Sequence, residues 1–210
     1  MPGKAIAMLE NLVLVPLLIS SLTSQHAEVS PFAVKTDETI QLIVPFTHQY
    51  DDLNDTDKAI INYSACGPAV LTMAVKFLGA DVSLSDVISK LPNTVYIKGD
   101  RFYKLTDGPS YLGHKAVEIE PSPKQIYATL ASGFPVVLNI QNYDGIVGHA
   151  VLVVGIKGFN GETAESLIVH DPFVGPYREF KYSDASTLIQ PEGYYNPIGI
   201  IKPFYVKGMI

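Results

Sequence analysis

Beyond residue 134 the apolar residues of this chain stop recurring every third or fourth position. They fall instead into short runs separated by turn residues. Pro135 to Ile140, His149 to Ile156, Ser166 to His170, Tyr177 to Lys181 and Gly199 to Phe204 read as strands. The earlier part has a helical period. Ser64 to Leu78 is the strongest helix, with Pro68 in the first turn, where a proline is tolerated, and Gly79 as its stop. Val70, Met73, Ala74, Phe77 and Leu78 recur at helical spacing. Leu71 and Val75 are apolar off that stripe, which predicts a central, buried helix. Ser83 starts a short helix ending near Leu91, and Ser122 starts another that Gly133 stops after Ser132. Thr39 to Phe46 reads as a short strand, and residues 93–113, rich in Gly, Asp and Tyr, as a long surface excursion. Helices first and a strand run after predict an α+β fold with an antiparallel sheet.

Composition narrows the function. The 210 residues, 47% hydrophobic and 17% charged, suit one globular domain with a sizeable core. A net charge of −6 leaves no basic footprint for nucleic acid or anionic lipid. The one cysteine, Cys66, excludes an intrachain disulfide, a CxxC redox pair and a multi-cysteine zinc site. It also makes Cys66 the only available thiol nucleophile. Residues 1–30 stand apart: Lys4 precedes an almost wholly apolar run from Leu12 to Leu22, too short for a membrane span. That pattern reads as a signal peptide or N-terminal hydrophobic segment ahead of a domain at 31–210, and so as secretion to the cell envelope or beyond. The competing reading is an N-terminal helix packed on the domain, or an uncleaved anchor.

Cys66 falls at the N-terminal edge of the buried helix, in Ser64-Ala65-Cys66-Gly67-Pro68. The unpaired N–H groups and partial positive charge there favour thiolate over thiol. His149 opens an apolar strand in Gly148-His149-Ala150-Val151, and a strand end facing a cleft suits a general base. Asp171, in Val169-His170-Asp171-Pro172, follows the next strand. If the two strands are antiparallel neighbours, Asp171 comes within reach of the His149 ring and can fix its tautomer. Gln49, in Val44-Pro45-Phe46-Thr47-His48-Gln49-Tyr50, lies ahead of the helix, where its amide can join the Cys66 N–H in holding an oxyanion. Each residue alone has an ordinary structural explanation: a small buried thiol, a hydrogen-bonded histidine, an aspartate opening a turn, a surface glutamine. Their joint order at element ends is what points to catalysis.

These stretches together, from Val44 through Tyr50, Cys66-Gly67-Pro68-Ala69, Gly148-His149-Ala150-Val151 and His170-Asp171-Pro172, resemble the C39-like peptidase family of the papain-like cysteine peptidases. The resemblance spans about residues 40–206. It implies a papain-like fold, with an N-terminal catalytic helix packed on an antiparallel sheet. It also implies a peptide or protein substrate and no cofactor. Cys66 would be the nucleophile, His149 the general base, Asp171 its orienter and Gln49 the oxyanion donor. Exporter members carry this domain ahead of membrane spans and an ATPase. Those parts are not in this sequence, and the resemblance points to the stand-alone branch.

Other readings are weaker. His26, His48 and His114 have no helical partner or HExxH pattern for zinc, and His170 beside Asp171 should point to the other side of its strand. The acidic loop of Asp51, Asp52, Asn54, Asp55 and Asp57 has calcium-like composition but lacks the central glycine and closing glutamate of an EF-hand. Tyr182, Tyr194, Tyr195 and Tyr205 line a cleft or fill a sheet face. Two rivals to a peptidase stay open: an acyltransferase or amidase on the same fold, such as a phytochelatin-synthase-like transferase, and a non-catalytic binding module.

Overall fold

The computed structural model describes residues 33–36, 39–51, 53–55, 65–92, 105–143, 146–182, 194–196 and 199–208. The N-terminal segment 1–30, Ser64, residues 93–104, and Asp52 and Asp57 of the acidic loop lie outside them. Helix α1 spans Cys66–Phe77, with Leu78 as C-cap and Gly79 at φ +91°, a backbone state only glycine adopts cheaply. Its first ten residues, Cys66 to Val75, are all buried, as the off-stripe Leu71 and Val75 predict. Truncating Leu71 or Met73 to alanine would cost about 2–5 kcal/mol through the cavity left behind. Helix α2 (Leu84–Lys90) begins in a capping box, where Ser83 and Asp86 exchange backbone and side-chain bonds. A 3₁₀ turn (Leu105–Asp107) leads into the one-turn α3 (Gly108–Tyr111). Helix α4 (Pro123–Ala131) is capped by Ser122 and followed by Gly133 at φ +83°.

Ten strands complete the described fold: β1 (Ala33–Thr36), β2 (Thr39–Leu42), β3 (His114–Glu118), β4 (Val136–Tyr143), β5 (Ile146–Lys157), β6 (Ser166–Asp171), β7 (Gly175–Lys181), β8 (Tyr194–Asn196), β9 (Gly199–Ile201) and β10 (Phe204–Gly208). Eight form one antiparallel sheet, and β8 and β9 pair by themselves. β5 is the hub. Leu152 pairs with Val137 of β4 and His170 of β6, while Ile156 pairs with Ile40 of β2 and Leu167 of β6. β4 and β2 therefore take successive stretches of one edge of β5, and β6 takes the other. The run from Ala150 to Ile156 is buried throughout, as suits a strand covered on both faces. α1 packs on β5 and β10, and α4 on β2, β4 and β5.

The architecture is the expected one, α+β with the Cys66 helix on an antiparallel sheet. Four local expectations change. The strand at 39–46 stops at Leu42, because beyond it the chain leaves β5 and bonds elsewhere. His149 is not at a strand start: β5 begins at Ile146, which pairs with Tyr143 of β4, and the ladder runs on through His149. The second half of the 93–113 excursion is folded into the 3₁₀ turn and α3, with Leu105, Gly108 and Pro109 buried. The run at 199–204 is two strands, β9 and β10, broken where Pro203 interrupts the pairing. β3, not read from the sequence, pairs along β10. Tyr182 packs half-buried against the core, and Tyr205 lies 4.9 Å from Phe134 between ring centroids. No helix of the described residues is long and apolar enough to cross a membrane.

Candidate active site

The start of α1 has no side-chain cap: Ala65 occupies the N-cap position and cannot accept from the first turn. The first-turn N–H groups are therefore free to face the Cys66 sulfur, and the Gly67 N–H takes that role. The Ala150 N–H of β5 reaches the same sulfur from the sheet side. Cys66 is 7% exposed, and burial by itself would push its thiol up. The adjoining His149 imidazole opposes that by a hydrogen bond and its charge. With the two backbone N–H groups it holds the thiol below its usual value.

His149 is buried and its Nε2 lies 2.8 Å from Asp171 Oδ1. That leaves Nδ1 to meet the thiol. Burial alone would lower the His149 pKa, yet the carboxylate on one side and the sulfur on the other raise it to about 9. Asp171 is fully buried, which disfavours its charge. The His149 bond and the N–H groups of Phe173 (2.9 Å) and Val174 (3.2 Å) reverse that and hold its carboxyl below the ordinary range. Oδ1 thus accepts three hydrogen bonds, while Oδ2 finds no partner among the described residues. One charge shift on sulfur, one on imidazole and one on carboxylate all favour a thiolate–imidazolium–carboxylate row.

Gln49 is 4% exposed, and its Oε1 is buried with no hydrogen-bond partner among the described residues. Its backbone N–H donates to Pro172 O at 2.8 Å, which ties it to the turn that Asp171 opens. The structure thus brings Cys66, His149 and Asp171 into one bonded row and fastens the Gln49 backbone beside it. His170 points to the other side of β6, as strand alternation requires: its Nε2–H donates to Val44 O (3.0 Å) and its Nδ1 accepts from Tyr177 N (3.1 Å). Burial keeps it below the normal histidine range. Two contributions were not legible in the sequence. The Ala150 N–H is a backbone group without a side-chain signature, and the grip of His48 and His170 on other segments depends on distant pairings. Asp51, from the acidic loop, uses Oδ2 to accept the His48 N–H at 2.9 Å. Among the described residues no three His, Cys, Asp or Glu side chains converge as a metal site.

Residues 41–199 match the family described as Peptidase_C39 like. Among solved structures, the chain is similar to the peptidase domain of Streptococcus ComA, a bi-functional ABC transporter involved in a quorum sensing pathway. Identity is 14%, the match covers 69% of this chain and 91% of that one, and the TM-score is 0.48. No curated protein matches the sequence.

Proposed function

This chain belongs to the Peptidase_C39-like family, and from that premise we propose that it is a cysteine peptidase working through Cys66, His149 and Asp171, with Gln49 as oxyanion donor. The observation that carries the reading is the row of three groups whose protonation preferences are reversed against burial: sulfur toward thiolate, imidazole toward imidazolium, carboxyl toward carboxylate. A structural cysteine in an apolar core would keep its proton.

In this mechanism the Cys66 thiolate attacks the peptide carbonyl carbon. The carbonyl π electrons move to oxygen, where the Gln49 side-chain amide and the Cys66 N–H stabilise the charge. His149 gives its Nδ1 proton to the departing amine, leaving a thioester. His149, now neutral, then takes a proton at Nδ1 from water as that water attacks the thioester, and Cys66 leaves as thiolate. Asp171 holds Nε2–H throughout, so the ring keeps its orientation as its charge changes. No step needs a cofactor.

The test is hydrolysis of a mixed fluorogenic peptide library by the wild type and Cys66→Ala. Cleavage by the first and none by the second is expected. Equal cleavage by both would sink the reading. Repeating the cleavage with an added amine or thiol acceptor identifies the acyltransferase alternative by its transfer product. Residues 1–30 carry the related proposal that this peptidase acts outside the cytoplasm, tested by finding the processed chain in the culture medium.

A further inference from the structure

The segment from Ile43 to Gln49 carries the oxyanion donor proposed above, yet it belongs to no helix or strand. β2 releases it at Leu42. Among the described residues three long-range hydrogen bonds hold it, all to the strand end and turn around Asp171. His170 Nε2–H donates to Val44 O at 3.0 Å, Gln49 N–H to Pro172 O at 2.8 Å, and His48 Nε2–H to Phe173 O at 3.1 Å. Two of these come from histidine side chains pointing in opposite directions, one from each segment. Both rings are fixed in the same tautomer by a backbone donor at Nδ1, from Tyr177 for His170 (3.1 Å) and from Tyr50 for His48 (3.2 Å). His170 is fully buried between two aromatic rings set edge-on, Phe46 at 5.6 Å and Tyr177 at 4.5 Å. Tyr177 stands at φ +50°, a state that non-glycine residues seldom adopt and that tertiary contacts must hold in place.

We propose that His170 and His48 are positioning residues forming a double clasp, which locks the Gln49 segment to the turn after Asp171 so that oxyanion donor and triad carboxylate form one rigid unit. This rests on the catalytic reading of the site. Neither histidine touches the reacting atoms. Each acts by fixing where Gln49 stands relative to the Cys66–His149–Asp171 row.

Two reactions of Cys66 separate the clasp from the triad. Alkylation by iodoacetamide is a displacement at carbon that needs the thiolate but develops no oxyanion. Acylation by p-nitrophenyl acetate needs both. His170→Phe keeps the ring volume and loses both bonds, and His48→Ala removes the half-buried partner. Each is expected to slow acylation by about tenfold or more while alkylation and its pH profile stay within about threefold. His170→Gln, whose amide N–H reaches toward Val44 O, should regain most of the acylation rate. Amide exchange at Gln49 should quicken in both loss variants. If His170→Phe does not fold, His48→Ala carries the test alone. Parallel loss of acylation and alkylation, or wild-type acylation in a folded variant, overturns the clasp. A wild type that alkylates but is never acylated overturns the peptidase reading and the clasp with it, and is told apart by failing before any substitution is made.

Discussion

His149 and Asp171 meet at 2.8 Å because β5 holds one residue more than β6 between them. Val153 pairs with Val169, but the next pair is Gly155 with Ile168, so Val154 is an extra residue, a β-bulge. On the site side of the bulge, Leu152 pairs with His170, which puts His149 on the face opposite Leu152 and Asp171 on the face opposite His170. They share a face. Carrying the Gly155–Ile168 register straight through without the bulge would pair Leu152 with Asp171 and send His149 to the other side. The triad geometry is thus a consequence of one inserted residue.

The bulge has a weak point at Gly155. A Cβ there would stand 2.6 Å from Ile40 O and 3.0 Å from Ile168 Cδ1, and the first of these is backbone that cannot swing aside. Gly155→Ala is expected to cost about 1–3 kcal/mol by overpacking. That lowers the thermal midpoint by several degrees, at about 2–4 °C per kcal/mol for a chain of this size. Calorimetry checks it, and an unchanged midpoint would mean that β2 yields at Ile40.

Thiol reactivity should persist into acid. A free thiol of pKa about 8.5 is only about 0.3% thiolate at pH 6, whereas Cys66 is held below its usual value by His149. Iodoacetamide alkylation of the wild type should therefore lose less rate between pH 8 and pH 6 than that of a free thiol. In His149→Ala the burial penalty is no longer offset by the ring, so the profile moves to higher pH. Coincident profiles would remove the ion pair.

Asp171 has two tasks that two substitutions separate. Asp171→Asn keeps an oxygen for the Phe173 and Val174 N–H groups but removes the charge behind His149. Peptidase kcat/KM should fall by about 10²–10⁴-fold with a modest effect on stability. Because the carboxylate is what helps raise His149 to about 9, its loss makes the imidazolium give up its proton at lower pH, and the alkaline limb of the activity profile should shift down. Asp171→Ala also strands the turn N–H groups, at about 1–3 kcal/mol of stability. The two are compared by pH-rate profile and thermal unfolding together.

A change away from the site provides the contrast. Ser83→Ala breaks the capping box of α2, in which Asp86 N–H donates to Ser83 Oγ at 3.0 Å and Ser83 N–H to Asp86 Oδ2 at 2.8 Å. About 1 kcal/mol of stability should be lost with kcat/KM unchanged. A fall in kcat/KM would show that α2 communicates with α1, on which it packs.

Much of the candidate site could be read from the chain. The buried helix expected over Ser64 to Leu78 from Pro68 and Gly79 is described as Cys66–Phe77, and alternation placed His170 and Asp171 on opposite sides of a strand. Antiparallel neighbours were enough to bring Asp171 near His149 in outline. The expected start at His149 left out Ile146 to Gly148, although Ile146 pairs with Tyr143 and Gly148 with Gln141 of β4; which residues join a ladder is decided by the backbone of the partner strand and not by the run of side chains alone. Leu105 and Pro109 show the same limit, since their burial depends on elements far along the chain.

By itself the sequence determined the local periods, the caps and stops of the helices, and a single thiol at a helix start with a histidine and an aspartate at strand positions. The tertiary structure decided their register. Ala150 to Ile156 is apolar on both faces, so its pattern looks the same with or without a slip of one residue and cannot say where a bulge falls. Only pairing with β2, β4 and β6 at once settles that Val154 is the extra residue. It is also only in the folded sheet that the segment before Tyr50 finds His170 and the turn after Asp171 to hold it.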